Sequence, residues 1–67
     1  MAQHYLAQFF EFRHLSPELQ AVSQPFAMLV QKILTTIPDN PERTTCLRKL
    51  LEAKDCAERA KMFRATE

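Results

Sequence analysis

No glycine occurs anywhere in this 67-residue chain, and that absence closes off more architectures than any motif opens. Glycine alone adopts left-handed backbone without a steric penalty, so the tight turns that join β-strands are hard to build here. The Rossmann fingerprint and the phosphate-cradling P-loop are excluded, because both need backbone that only glycine allows. The expectation is an all-α chain. Size adds a second constraint. A domain of roughly 60 residues buries only about 60% of the surface its unfolded chain exposes, and one core of that size supplies about 3–5 kcal/mol. The 46% hydrophobic content is too high for a disordered tail. One small helical domain that gains further burial from sister chains, a homo-oligomer, is therefore expected.

The four prolines divide the chain. Residues 3–14 hold Tyr5, Leu6, Phe9, Phe10 and Phe12. Leu6, Phe9 and Phe10 fall at i, i+3, i+4, which suits one face of a short helix, although the aromatic density also suits a strand. Ser16-Pro17 reads as an N-cap followed by proline at the first helical position. The first long helix then spans 17–37, with Leu19, Val22, Phe26, Leu29, Ile33 and Ile37 as its apolar row and Val30 and Leu34 widening it. Pro25 removes one i→i−4 hydrogen bond and is expected to kink that helix or split it near Ser23-Gln24. Pro38 stops it through its effect on Ile37. Asn40-Pro41 repeats the cap signal and opens a second helix over 41–64, with Glu42 in its first turn. Its expected inner row is Leu47, Leu50, Ala53, Ala57, Ala60 and Arg64, with Asp55 and Arg59 as an i, i+4 ion pair. Two helices joined by a short turn make an αα-hairpin, and the single domain covers residues 1–67.

Little in the sequence suggests catalysis. His4 and His14 would stand about 15 Å apart along a helix axis, and both read as exposed helix or turn residues. No HExxH or CxxC spacing is present, so no metal site and no cofactor is expected. Cys46 and Cys56, ten residues apart on one helix, are too distant for an intrachain disulfide and read as buried small hydrophobes. Glu52, Asp55 and Glu58 read as a solvated, salt-bridged face. The chain is expected not to be an enzyme and to have no catalytic residues.

The nine basic and eight acidic residues give a net charge of +1, far from that of a dedicated nucleic-acid binder, so no nucleic-acid polymer is expected as a partner. The basic groups are unevenly placed: two lie in residues 1–40 and seven in residues 41–67. No apolar run reaches the ~20 residues that span a bilayer, and the signal-peptide pattern is missing. No membrane partner is expected, and the plain expectation is a cytoplasmic location.

Surface recognition remains. Arg43, Thr44, Thr45, Arg48 and Lys49 cluster over the first two turns of the second helix. Free N–H groups and guanidinium forks there favour an anion, while the plainer reading has these side chains facing water. Tyr5 offers a ring on which a nucleobase could stack, and Phe9 and Phe10 read as core anchors for the N-terminal segment.

Residues 38–57, PDNPERTTCLRKLLEAKDCA, resemble a pattern Pro-x-x-Glu-Arg-x-x-x-Leu-Arg-Lys-Leu-Leu-Glu-Ala-Lys-Asp found in a group of small bacteriophage proteins. The hairpin is similar to the helical-hairpin domain of the phage anti-CBASS and anti-Thoeris sponge proteins. His14-Leu15, Leu19-Gln20, Val22-Ser23 and Pro25-Phe26 resemble the small phage proteins upstream. The resemblance implies a defence inhibitor that does no chemistry. Sponges of this kind assemble hairpins into oligomers, often hexamers, and hold a cyclic di- or trinucleotide or a cyclic ADP-ribose-type signal between protomers. On that resemblance Arg43 matches the family's arginine at the helix start, Lys49, Leu50, Glu52 and Ala53 match its Lys-Leu-x-Glu-Ala motif, and Tyr5 is a loose analogue of its N-terminal stacking aromatic. Lys54-Asp55 stand where the family has an aromatic. The alternative expectation is a protein–protein interaction module that uses the same hairpin to bind a host or phage protein.

Overall fold

Caps and prolines set the helix boundaries. The computed structural model describes residues 4–63. A 3₁₀ helix over Tyr5–Phe10 precedes two long α-helices, α1 over Pro17–Thr36 and α2 over Pro41–Met62. At the start of α1 the Ser16 hydroxyl accepts from the Leu19 N–H at 3.4 Å. At the start of α2 the Asn40 side-chain oxygen Oδ1 accepts from the Arg43 N–H at 2.8 Å. Each cap is followed by proline at the first helical position, where a missing N–H leaves no bond unmade. Ile37 is extended at φ −115°, ψ 130°, the conformation a following proline imposes. The Asn40 cap gives a direct test. Asn40→Ala should lower stability by about 1 kcal/mol and Asn40→Gly by only a few tenths. An Asn40→Ala chain as stable in urea denaturation as the unaltered one would show that the side-chain oxygen is not what holds the turn.

The two long helices pack together and run antiparallel, since Ser23 of α1 meets Glu58 of α2 well away from the four-residue turn. The buried core consists of Leu6, Phe10, Val30, Ile33 and Leu47. Phe26, Ala27, Leu34, Leu50 and Leu51 pack around it. The 3₁₀ helix lies against both α-helices, so Leu6 and Phe10 complete the hairpin core rather than forming one of their own.

Several sequence expectations need correction. The N-terminal segment is helical only over Tyr5–Phe10, not through residue 14. The chain leaves the helix at Glu11, whose carboxylate turns back to accept from the N–H groups of Phe12 (3.0 Å) and Arg13 (3.2 Å). Those bonds hold the Glu11 carboxyl below its ordinary pKa, the Arg13 N–H first and that of Phe12 second. Phe10 is an anchor but Phe9 is not: Phe9 is 51% exposed, because residues Leu6 and Phe10 take the inward side and Tyr5 and Phe9 the outward one. Pro25 does not split α1, which continues through it as one helix. His4 is no free surface residue; it caps the 3₁₀ helix, its Nδ1 accepting from the Leu6 N–H at 3.1 Å.

The inner row of α2 is also rotated from the expected one. Leu47, Leu50, Leu51, Lys54, Ala57 and Glu58 are buried or half-buried, whereas Ala53 and Ala60 are exposed. Leucine has more apolar area to remove from water than alanine, so Leu51 turns toward α1 at Ala53's expense. That rotation leaves Cys46 and Cys56 exposed rather than buried. It also takes Glu58 out of the solvated face. Asp55 pairs with Lys54 at 3.6 Å, while Arg59 donates to the Cys56 sulfur at 3.2 Å. The expected ends of the helices differ by one or two residues, with α1 stopping at Thr36 and α2 at Met62. Residues 3 and 64, named in the expected spans, lie outside the described residues.

Candidate functional site

The first turns of α2 carry five of the six expected site residues, and the 3₁₀ helix brings the sixth to them. Residues four apart on an α-helix share a face, so Thr44 and Arg48 form one pair and Thr45 and Lys49 another. The Thr44–Arg48 side meets the 3₁₀ helix. Arg48 donates from Nη2 to the Tyr5 hydroxyl at 3.2 Å. One step back, the Thr44 hydroxyl lies 3.4 Å from His4 Nε2. His4 and Tyr5 stack, with ring centroids 4.9 Å apart and planes 22° from parallel. The first residue of the 3₁₀ helix and the residue that caps it thus meet two residues one turn apart on α2.

Exposure separates the roles of these side chains. Tyr5 is 56% exposed and Arg48 is exposed, so both are reached from solvent, with one face of the Tyr5 ring taken by His4. Thr45 and Lys49 are exposed on the neighbouring face, and the Thr45 hydroxyl donates back to the Pro41 carbonyl at 3.1 Å. Arg43 differs. Its side chain is only 10% exposed and its Nη2 lies 3.3 Å from the Asp39 carboxylate. Its Nη1 donates to the Ile37 carbonyl at 3.0 Å. Both bonds go to the interhelical turn, so Arg43 ties α2 to the end of α1. Its Nε is buried and has no partner among the described residues.

A hollow beside the 3₁₀ helix is lined by Ala7, Phe10, Glu11, Phe12, Arg13 and Gln31; it shares none of the six expected residues. Among the described residues, no group of three or more His, Cys, Asp or Glu is placed to hold a metal ion. No described helix is long and apolar enough to cross a membrane.

Sequence reasoning missed two features. The role of His4 is invisible in spacing, since it depends on where the 3₁₀ helix docks. The cluster of Ser23, Lys54 and Glu58 between the long helices carried a readable signal: Lys54 and Glu58 lie seven and eleven residues beyond Leu47, on the same helical face. Compared with protein-family models, characterised proteins and solved structures, the chain shows no significant match.

Proposed function

We propose that this chain is a non-catalytic helical-hairpin protein of the sponge type, a self-assembling phage protein that acts in the host cytoplasm. It sequesters a cyclic di- or trinucleotide or a cyclic ADP-ribose-type immune messenger between protomers. The resemblance of residues 38–57 to the sponge hairpin supports this reading. The observation that carries it on this chain is the exposed Tyr5 ring with the Arg48 guanidinium 3.2 Å from its hydroxyl. A flat ring for a nucleobase and a forked cation for a phosphate are the two groups a cyclic nucleotide requires.

In this reading Arg48 is the principal phosphate ligand and Tyr5 the stacking surface. Lys49 supplies a further donor from the same two turns, and the Thr44 and Thr45 hydroxyls do so by exchanging His4 Nε2 and the Pro41 carbonyl for the ligand. Arg43 keeps the start of α2 in place through Ile37 and Asp39, so it positions the site and adds positive charge beside it.

Isothermal titration against a panel of cyclic dinucleotides, cyclic trinucleotides and cyclic ADP-ribose isomers tests the reading. One member of the panel should bind. Arg48→Ala should weaken it by tenfold or more, since a charge-assisted hydrogen bond contributes about 1.5–3 kcal/mol. Tyr5→Ala should remove about 1–3 kcal/mol of stacking. A folded protein that gives no heat with any member, and releases no nucleotide to mass spectrometry on heating, would sink it.

A further inference from the structure

A second apolar row runs along α1, to one side of the row that packs on α2. Residues Ala21, Val22, Pro25, Met28 and Leu29 recur at the spacing of one helical face. This face lies about a third of a turn from the core-facing row of Phe26, Val30 and Ile33. Met28 is 65% exposed and Leu29 45% exposed; Ala21 and Pro25 are exposed and Val22 is half-buried. Glu18 closes one end of this row and Lys32 the other, both exposed. Neither takes part in an ion pair among the described residues. Lys61 borders the same hollow as Glu18 without pairing with it.

The order of residues along the row is self-complementary. Glu18 and Lys32 stand equally far from Pro25 on either side, as do Ala21 and Leu29, and Val22 and Met28. If α1 is laid antiparallel on a copy of itself with the two Pro25 rings at the centre, each Glu18 meets the copy's Lys32. Ala21 then faces Leu29, and Val22 faces Met28, so a small or medium side chain opposes a large one at each step. A parallel arrangement would instead set like charge against like. Interfaces between identical chains with two-fold symmetry require this kind of self-complementarity, in which residue i meets j and j meets i.

We infer that this face of α1 docks a second copy of the chain in an antiparallel two-fold pair, sealed at both ends by Glu18–Lys32 ion pairs between chains. The inference gives a location to the self-assembly in the proposed function and rests on that reading only for the existence of an oligomer. The charges supply direction and the apolar row supplies area. Pro25, which costs a helix interior about 3 kcal/mol, sits at the centre of the contact.

Charge reversal tests it on the full chain by sedimentation, with no ligand present, so its outcome is separate from that of the titration. Glu18→Lys and Lys32→Glu should each weaken the pair by roughly tenfold, since each sets two like-charge contacts in place of two ion pairs. The double variant should regain it. The decisive sample is an equimolar mixture of the two single variants, which should form a mixed pair more tightly than either alone. Leu29→Asp should give a monomer with unchanged helicity by circular dichroism, because the position is exposed in the single chain. Unaltered association in all these variants, or no gain on mixing, would overturn the inference. A wild-type chain that stays monomeric at micromolar concentration and pairs only with another protein would do the same.

Discussion

Replacing Leu47 with alanine is expected to unfold a large fraction of the chain at room temperature. Leu47 is 0% exposed and sits among Val30, Ile33, Leu6 and Phe10, where the two α-helices and the 3₁₀ helix meet. Leucine-to-alanine changes in cores cost about 2–5 kcal/mol, the larger losses arising where surrounding groups cannot collapse into the gap. Here three elements border the site, and closing the gap would require all of them to shift. Domains have about 0.05–0.15 kcal/mol of stability per residue, which for this length is about 3–10 kcal/mol. The substitution therefore removes a large share of the total, whereas Leu29→Ala, on the exposed row, should cost the isolated chain well under half as much. Urea denaturation followed by circular dichroism checks both, at one protein concentration so that association does not shift the midpoint. A Leu47→Ala midpoint within experimental error of the unaltered chain would show that the helices are held elsewhere.

That contrast between two leucines marks what the sequence could and could not reveal. Boundaries were legible because they are local. Ser16-Pro17 and Asn40-Pro41 set caps through bonds spanning three residues, and Pro38 acts on its immediate neighbour. The pairing of two helices across a short turn follows from those boundaries. Rotation was less legible, because it depends on what lies opposite. On α2 the choice between the Ala53 and Leu51 sides is decided by the area each buries against α1. On the 3₁₀ helix the choice between Phe9 and Phe10 is decided by where that segment docks. The candidate site divides in the same way. Arg43 was legible as a cation at a helix start, a local feature. Its attachment to Ile37 and Asp39 depends on how the turn closes, and the meeting of Tyr5 with Arg48 joins residues 43 positions apart. No periodicity encodes such a contact.

Lys54→Ala should destabilise the hairpin about as severely as a core truncation, while exchanging Lys54 and Glu58 together for Met and Leu should cost less, the remaining loss coming from the Ser23 hydroxyl that no longer has Glu58 to donate to. Lys54 is buried, with Nζ 3.2 Å from the Glu58 carboxylate. The same carboxylate accepts from the hydroxyl of Ser23, which has no exposed surface. Removing one partner of a buried pair costs about 3–5 kcal/mol because the other charge is left uncompensated; replacing both with apolar groups is often neutral or stabilising. Glu58 retains some contact with water at 19% side-chain exposure, which places the expected loss toward the lower end. The pH dependence carries a sign that separates this account from a simple loss of packing. Covering the carboxyl would by itself push its pKa up. Hydrogen bonds from Ser23 and Lys54, together with attraction from the Lys54 ammonium and from His14, outweigh that and hold it below the ordinary glutamate value. A carboxyl depressed in the folded state contributes stability that is complete above its unfolded pKa and is lost as pH falls through the folded one. The unaltered chain should thus weaken on the acid side of the ordinary glutamate range, and the Met/Leu double variant should lose that part of the acid sensitivity. In Lys54→Met the cation is gone while the covering remains. Glu58 should then titrate higher, by carboxyl-detected NMR, and the acid limb of stability should flatten or reverse. An unmoved Glu58 titration in that variant would show that Ser23 alone holds the charge, and that Lys54 serves the hairpin only through its aliphatic stem.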